Sequence, residues 1–134
     1  MTNITKRPSI LIIDDDKAFA KIIAAQANAM GIDVAFVPSV TKARAIKCLA
    51  HIDLLLVDYD LDDGTGFEAA EHFLKLAKEK PVVMISSTDR PRQDKLGASP
   101  NIIGFVSKWH RPNEFMNHLF NVTQNRPGIS LMAA

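Results

Sequence analysis

Short unbroken apolar runs alternate with amphipathic stretches along this chain. Residues 10–13, inside "SILIIDDD", form a run without polar interruption, as expected of a strand buried on both faces. Over 17–30 the period changes. Phe19, Ile22, Ile23 and Met30 recur at three- and four-residue steps, with alanines between them. This predicts a helix capped by Asp16 and ended by Gly31. "IDVAFV" predicts a second strand. Ser39 or Thr41 is expected to cap a helix running to about residue 50, and 54–57 is a third strand. "DYDLDDGTG" reads as a loop. A third helix is predicted from 66 to about 80, with Phe67, Ala70, Phe73, Leu74 and Ala77 on its apolar side, stopped by Pro81. Residues 82–85 and 102–106 are the fourth and fifth strands. Pro112 opens a last helix to about 124, striped by Phe115, Leu119 and Val122.

Strands alternating with helices imply a parallel α/β sheet covered on both faces, joined by right-handed crossovers. One connection is weak. "TDRPRQDKLGASP" contains Pro91, Gly97 and Pro100, and Leu96 is its one large aliphatic residue. A fourth helix there is expected to be short or irregular, roughly 90–96.

Four of the apolar runs end on reactive side chains. "SILIIDDD" ends on Asp14, Asp15 and Asp16, "HIDLLLVDYD" carries Asp58, "PVVMISS" reaches Ser86, and "NIIGFVSK" ends on Lys108. The strands of an open parallel sheet end at one edge, and ligands bind in the crevice there. Three carboxylates brought together repel unless a cation neutralises them. All-oxygen ligation suits a hard ion, and Mg²⁺ uses one or two carboxylates while keeping several waters. Lys108 adds a positive charge for an anion and Ser86 a hydroxyl donor. Together these describe a phosphoryl-transfer site with Asp58 as nucleophile.

The same segments resemble the response-regulator receiver family (CheY-like domains) over roughly residues 8 to 124. "IIDDD" is similar to the family's acidic pair, "LLLVDYDLDDGTG" to its phosphoacceptor loop, "VVMISS" to its Ser/Thr strand end and "GFVSK" to its strand-five lysine. The resemblance implies a flavodoxin-like, doubly wound, five-stranded parallel sheet of order 2-1-3-4-5. It implies that Asp58 accepts phosphoryl from a histidine kinase or phosphotransfer protein, with Lys108 and Ser86 contacting the phosphoryl group. It further implies that Mg²⁺, with Mn²⁺ able to substitute, is held by Asp15, Asp58 and the Asp60 backbone carbonyl, and by Asp14 through water. Ser86 and Phe105 take the family's switch positions. A receiver of this kind phosphorylates and dephosphorylates itself and is not a turnover enzyme. The downstream protein target stays unnamed, and a homodimer stays open.

The chain departs from the family pattern at two positions. Trp109 stands where proline usually follows the lysine, and Asp62 replaces the loop proline. The loop therefore carries Asp58, Asp60, Asp62 and Asp63, expected to face Asp14 to Asp16. Asp58, Asp60 and Asp62 do not form an EF-hand, because position 63 is Asp and the twelfth position is Ala69. "DYDLD" also resembles the nucleophile motif of haloacid-dehalogenase phosphatases, which gives an enzyme alternative. Those proteins place the motif on their first strand and need more chain. A receiver-like interaction module that has lost phosphotransfer is a further alternative.

Composition narrows the rest. The chain has 134 residues, 47% hydrophobic, and a net charge of +1. It can build a core and offers no bulk field for nucleic acid or a membrane surface. Cys48 is the single cysteine, so no internal disulfide can form; it is expected to pack within the second helix. His51, His72, His110 and His118 lack metal-ligand spacing and are expected on the surface or on helices. No signal-peptide pattern or membrane span is evident, so a cytoplasmic location is expected. The expected organisation is an N-terminal extension over 1–8, a receiver over 9–124 and a tail over 125–134. That tail is too short for an output domain.

Overall fold

The computed structural model describes residues 7–87, 99–108 and 112–123. The main sheet is built from β1 (Ser9–Ile13), β2 (Asp33–Val37), β3 (Leu54–Asp58), β6 (Val82–Ser86) and β7 (Ile102–Ser107). These five strands are parallel, in the order β2-β1-β3-β6-β7. That is the expected 2-1-3-4-5 order once the two short strands β4 (Asp60–Leu61) and β5 (Gly64–Thr65) are set aside. Chain order reverses between β1 and β3, so a crevice opens beside their carboxyl ends.

The unbroken apolar runs are explained by the two cores they feed. Along β1, Ile10 and Ile12 point to the face covered by α1 (Lys17–Ala29) and α4 (Pro112–Thr123). There they meet Ala20, Ile23, Phe115 and Leu119. Leu11 and Ile13 point to the other face, covered by α2 (Val40–Arg44) and α3 (Gly66–Leu76), and meet Val40, Ala70 and Phe73. Every residue of β3 and β6 is buried, because these central strands are covered on both sides. Each large aliphatic or aromatic side chain so buried contributes roughly 1.5–3 kcal/mol.

The helix caps follow the sequence where local chemistry decides. Asp16 Oδ1 accepts the Phe19 amide at 3.0 Å at the start of α1. Gly31 follows the helix with φ of +84°, a left-handed conformation that glycine adopts without strain. Ser39 Oγ caps α2 by accepting the Lys42 amide at 3.0 Å.

Several expectations need correction. The second helix stops at Arg44, not near residue 50. Past it, the Ile46 carbonyl faces His72 Nε2 of α3 at 3.0 Å, and the Ala50 amide lies 3.5 Å from Cys48 Sγ. The tertiary partner replaces the helical one. Cys48 is consequently exposed and outside the helix, not packed within it. The third helix stops at Leu76, short of residue 80. The loop after β3 contains a small antiparallel hairpin, in which Asp60 pairs with Thr65 and Leu61 with Gly64. The expected weak fourth helix, Trp109 and the tail fall outside the described residues.

Candidate functional site

Asp14 follows β1, Asp58 ends β3, Ser86 ends β6 and Lys108 follows β7. Main-chain hydrogen bonds hold these ends in register. The Asp14 amide donates to the Val37 carbonyl at 3.1 Å, the Tyr59 amide to Ile85 at 2.7 Å, and the Lys108 amide to Ser86 at 2.7 Å. The side chains then converge. Lys108 Nζ lies 2.6 Å from Asp14 Oδ2 and 3.0 Å from Asp58 Oδ2. Asp14, Asp15 and Asp58 each present an oxygen, all within 4.8 Å of one another.

Backbone amides orient the carboxylates from the other side. Asp14 Oδ1 accepts from the Asp16 amide at 2.9 Å, and Asp58 Oδ1 from the Asp60 amide at 3.3 Å. Asp15 Oδ2 accepts from the Asp62 amide at 3.0 Å. A proline at 62 would have no such proton to give. Gly66 lets the loop close. A Cβ there would collide with the Asp58 carbonyl oxygen and the Met84 side chain.

The electrostatics follow from this crowding. Burial, and then the charge of Asp14, push the Asp58 carboxyl up to about 7, against the opposing pull of Lys108. Burial works to lower the Lys108 ammonium, but its close contacts with the Asp14 carboxylate and then the Asp58 carboxylate outweigh it, and the net shift is upward. Asp62 is raised by its hydrogen bond and charge contact with Asp15.

The expectation that the loop's Asp58, Asp60, Asp62 and Asp63 all face Asp14 to Asp16 needs correction. Asp16 caps α1. Asp63 turns to α2, accepting from the Val40 and Thr41 amides at 2.9 and 2.8 Å and from the Thr41 hydroxyl at 2.6 Å. The Thr41 hydroxyl first, and then the two amides, hold the Asp63 carboxyl down at about 2.

The donor set fits a hard divalent cation. It offers carboxylate oxygens and no sulfur or imidazole. Asp14 Oδ2 is fully buried and has the charge of Lys108, but among the described residues no hydrogen-bond donor is aligned to it. A cation with bound water would satisfy that oxygen.

Ser86 is buried at the end of β6. Phe105 is half-buried on β7 and packs toward the α2 and α3 face. Register places Phe105 opposite Met84 and Ser107 opposite Ser86, so Ser86 and Phe105 share one sheet face.

The sequence did not reveal the contact between Phe19 and Lys108. Helical spacing marks Phe19 as an apolar-face residue, yet its ring centroid lies 4.8 Å from Lys108 Nζ. No sequence signal pairs two residues so far apart.

The model of the response regulator receiver domain matches residues 10–120. The chain belongs to that family. Receiver domains work in two-component signalling by phosphorylation on aspartate, and they are signalling domains, not turnover enzymes. This receiver domain is 25% identical over 112 residues to the DNA-binding response regulator MtrA of Mycobacterium bovis, covering 84% of this chain and 49% of that protein. It is 24% identical over 86 residues to the autoinducer 1 sensor kinase/phosphatase LuxN of Vibrio campbellii, covering 64% of this chain and 10% of that protein. The match thus spans about half of one relative and a tenth of the other. In fold it is similar to the non-phosphorylated HemR receiver domain from Leptospira biflexa. The TM-score is 0.78 at 24% identity, covering 90% of this chain and 98% of that one.

Proposed function

We propose that this receiver accepts a phosphoryl group on Asp58 from a histidine kinase or phosphotransfer protein, and that the modification switches binding to a downstream protein. The observation that carries the reading is the Lys108 ammonium bridging Asp14 and Asp58, with Asp15 beside them. A side chain that pairs with the nucleophile before transfer is placed to pair with the new phosphoryl oxygens after it.

Asp15, Asp58 and the Asp60 carbonyl would hold Mg²⁺, with Asp14 acting through a bound water. The ion supplies charge neutralisation for the phosphoryl oxygens. The chain's own residues do the positioning. An Asp58 carboxylate oxygen attacks phosphorus, an O–P bond forms, and the P–N bond to the donor histidine breaks. The departing imidazole keeps that electron pair. Lys108 then binds a phosphoryl oxygen, and the Ser86 hydroxyl donates to another. The phosphoryl group carries about −1.5 to −2 charge in place of the single carboxylate charge, and presents further acceptor oxygens. Drawing Ser86 inward frees space on the sheet face it shares with Phe105, and the ring moves into it.

The receiver unit is taken as residues 9–124, flanked by 1–8 and 125–134. A donor would dock beside Phe19, Ile22 and Gln26 of α1, where Ile22 is 49% exposed. Among the described residues no helix is long and apolar enough to cross a membrane.

The test is intact mass after incubation with Mg²⁺ and acetyl phosphate. One phosphoryl adduct on the wild type and none on Asp58→Asn is the expected result. An adduct on neither would overturn the reading in favour of a constitutive interaction module. Continuing turnover of p-nitrophenyl phosphate would favour a phosphatase.

A further inference from the structure

Phe19 closes a circuit of contacts around the site. Asp14 Oδ1 accepts the Asp16 amide at 2.9 Å, and Asp16 Oδ1 accepts the Phe19 amide at 3.0 Å. The Phe19 ring lies under Lys108 Nζ at 4.8 Å, and that ammonium returns to Asp14 Oδ2 at 2.6 Å. The ring is itself braced. It meets Phe115 edge-to-face, with centroids 5.4 Å apart and planes at 84°, and Phe115 is fully buried on α4.

We infer that Phe19 is a positioning residue for Lys108, holding its ammonium toward Asp58 by a cation–π contact. The inference rests on the phosphoacceptor reading for its rate consequence, and on geometry alone for the contact.

Three physical points support it. A lysine stem has four rotatable bonds and much rotamer freedom, so two carboxylates at its tip do not by themselves fix its path. A ring face attracts the ammonium through its quadrupole, most strongly where water is excluded. The Lys108 side chain is only 11% exposed, so water is largely excluded here. Finally, no proline follows Lys108, because residue 109 is tryptophan. Tryptophan has no ring closed onto its own backbone nitrogen, as proline has, which leaves more of the positioning to side-chain contacts.

An aliphatic side chain at 19 would fill space without attracting the charge. Phe19→Leu and Phe19→Tyr therefore separate the two roles. With Mg²⁺ and acetyl phosphate, Phe19→Leu should phosphorylate about three- to tenfold more slowly, and Phe19→Tyr within about twofold of wild type. The Lys108 ε-methylene resonances report the contact independently of phosphorylation. Ring current should shift them upfield in wild type and in Phe19→Tyr, and Phe19→Leu should return them to the position of the other lysines. Unshifted resonances in wild type, a Leu variant as fast as wild type, or a Tyr variant as slow as the Leu variant would each overturn the inference. If wild type takes no phosphoryl group but its shifted resonances collapse in Phe19→Leu, the phosphoacceptor reading fails and the positioning contact stands.

Discussion

Gly66 approaches the Asp58 main chain so closely that a Cβ would overlap the Asp58 carbonyl oxygen. The Gly66 amide also donates to the Tyr59 carbonyl at 2.9 Å. Glycine is therefore required here by space. Gly66→Ala should destabilise the domain by about 1–3 kcal/mol, as overpacking does. Because the displaced atom belongs to Asp58, phosphorylation by acetyl phosphate should slow even where urea titration shows the variant fully folded. A variant with wild-type urea midpoint and rate would show that the loop yields without moving Asp58.

Lys108 neutralises two buried carboxylates. Lys108→Met removes the charge and keeps much of the stem. Asp14 is fully buried and Asp58 nearly so, and breaking a buried pair from one side costs roughly 3–5 kcal/mol. Thermal melts in chelator should show that loss. A divalent cation supplies a replacement charge, so adding Mg²⁺ should raise the variant's Tm more than the wild type's. Equal shifts would mean that the two carboxylates do not share the cation with Lys108.

The hairpin after β3 brings one acid to the site and turns another away. Asp63 serves α2, whereas the Asp62 amide and carboxyl both engage Asp15. Asp62→Asn keeps the amide and removes the charge that crowds Asp15. Its metal-free Tm should rise above wild type, and its response to millimolar Mg²⁺ should shrink. A wild-type Tm indifferent to Mg²⁺ would sink this account of the loop.

The legible parts of this molecule are those where local pattern and layer geometry agree. Residues 10–13, 54–57 and 82–85 are unbroken apolar runs because helices cover both faces of their strands. Parallel strands send their ends to one edge, so Asp14, Asp58, Ser86 and Lys108 could be expected together before any distance was known. What escaped depends on packing between distant segments. α2 ends early because His72 of α3 takes the Ile46 carbonyl. Asp63 reaches back 22 residues to Thr41, so a loop acid becomes a second cap. Phe19 reads as ordinary core by its spacing, and only the path of the Lys108 stem gives it a second role.

The raised Asp58 carboxyl makes stability depend on pH in a direction opposite to most paired carboxylates. Its ordinary value is 3.8 and its folded value about 7, so between these the folded protein binds more protons than the unfolded chain. Stability from this group is full below pH 4 and is lost as pH rises through 7. The cause is chiefly burial, followed by the charge of Asp14. In chelator, the urea midpoint of the wild type should fall between pH 5 and pH 8 by more than that of Asp58→Asn, which has no proton to lose there. The difference between the two proteins should amount to about 1–3 kcal/mol. Parallel pH profiles for the two would show that Lys108 holds Asp58 ionised throughout, and that burial loses to the ion pair.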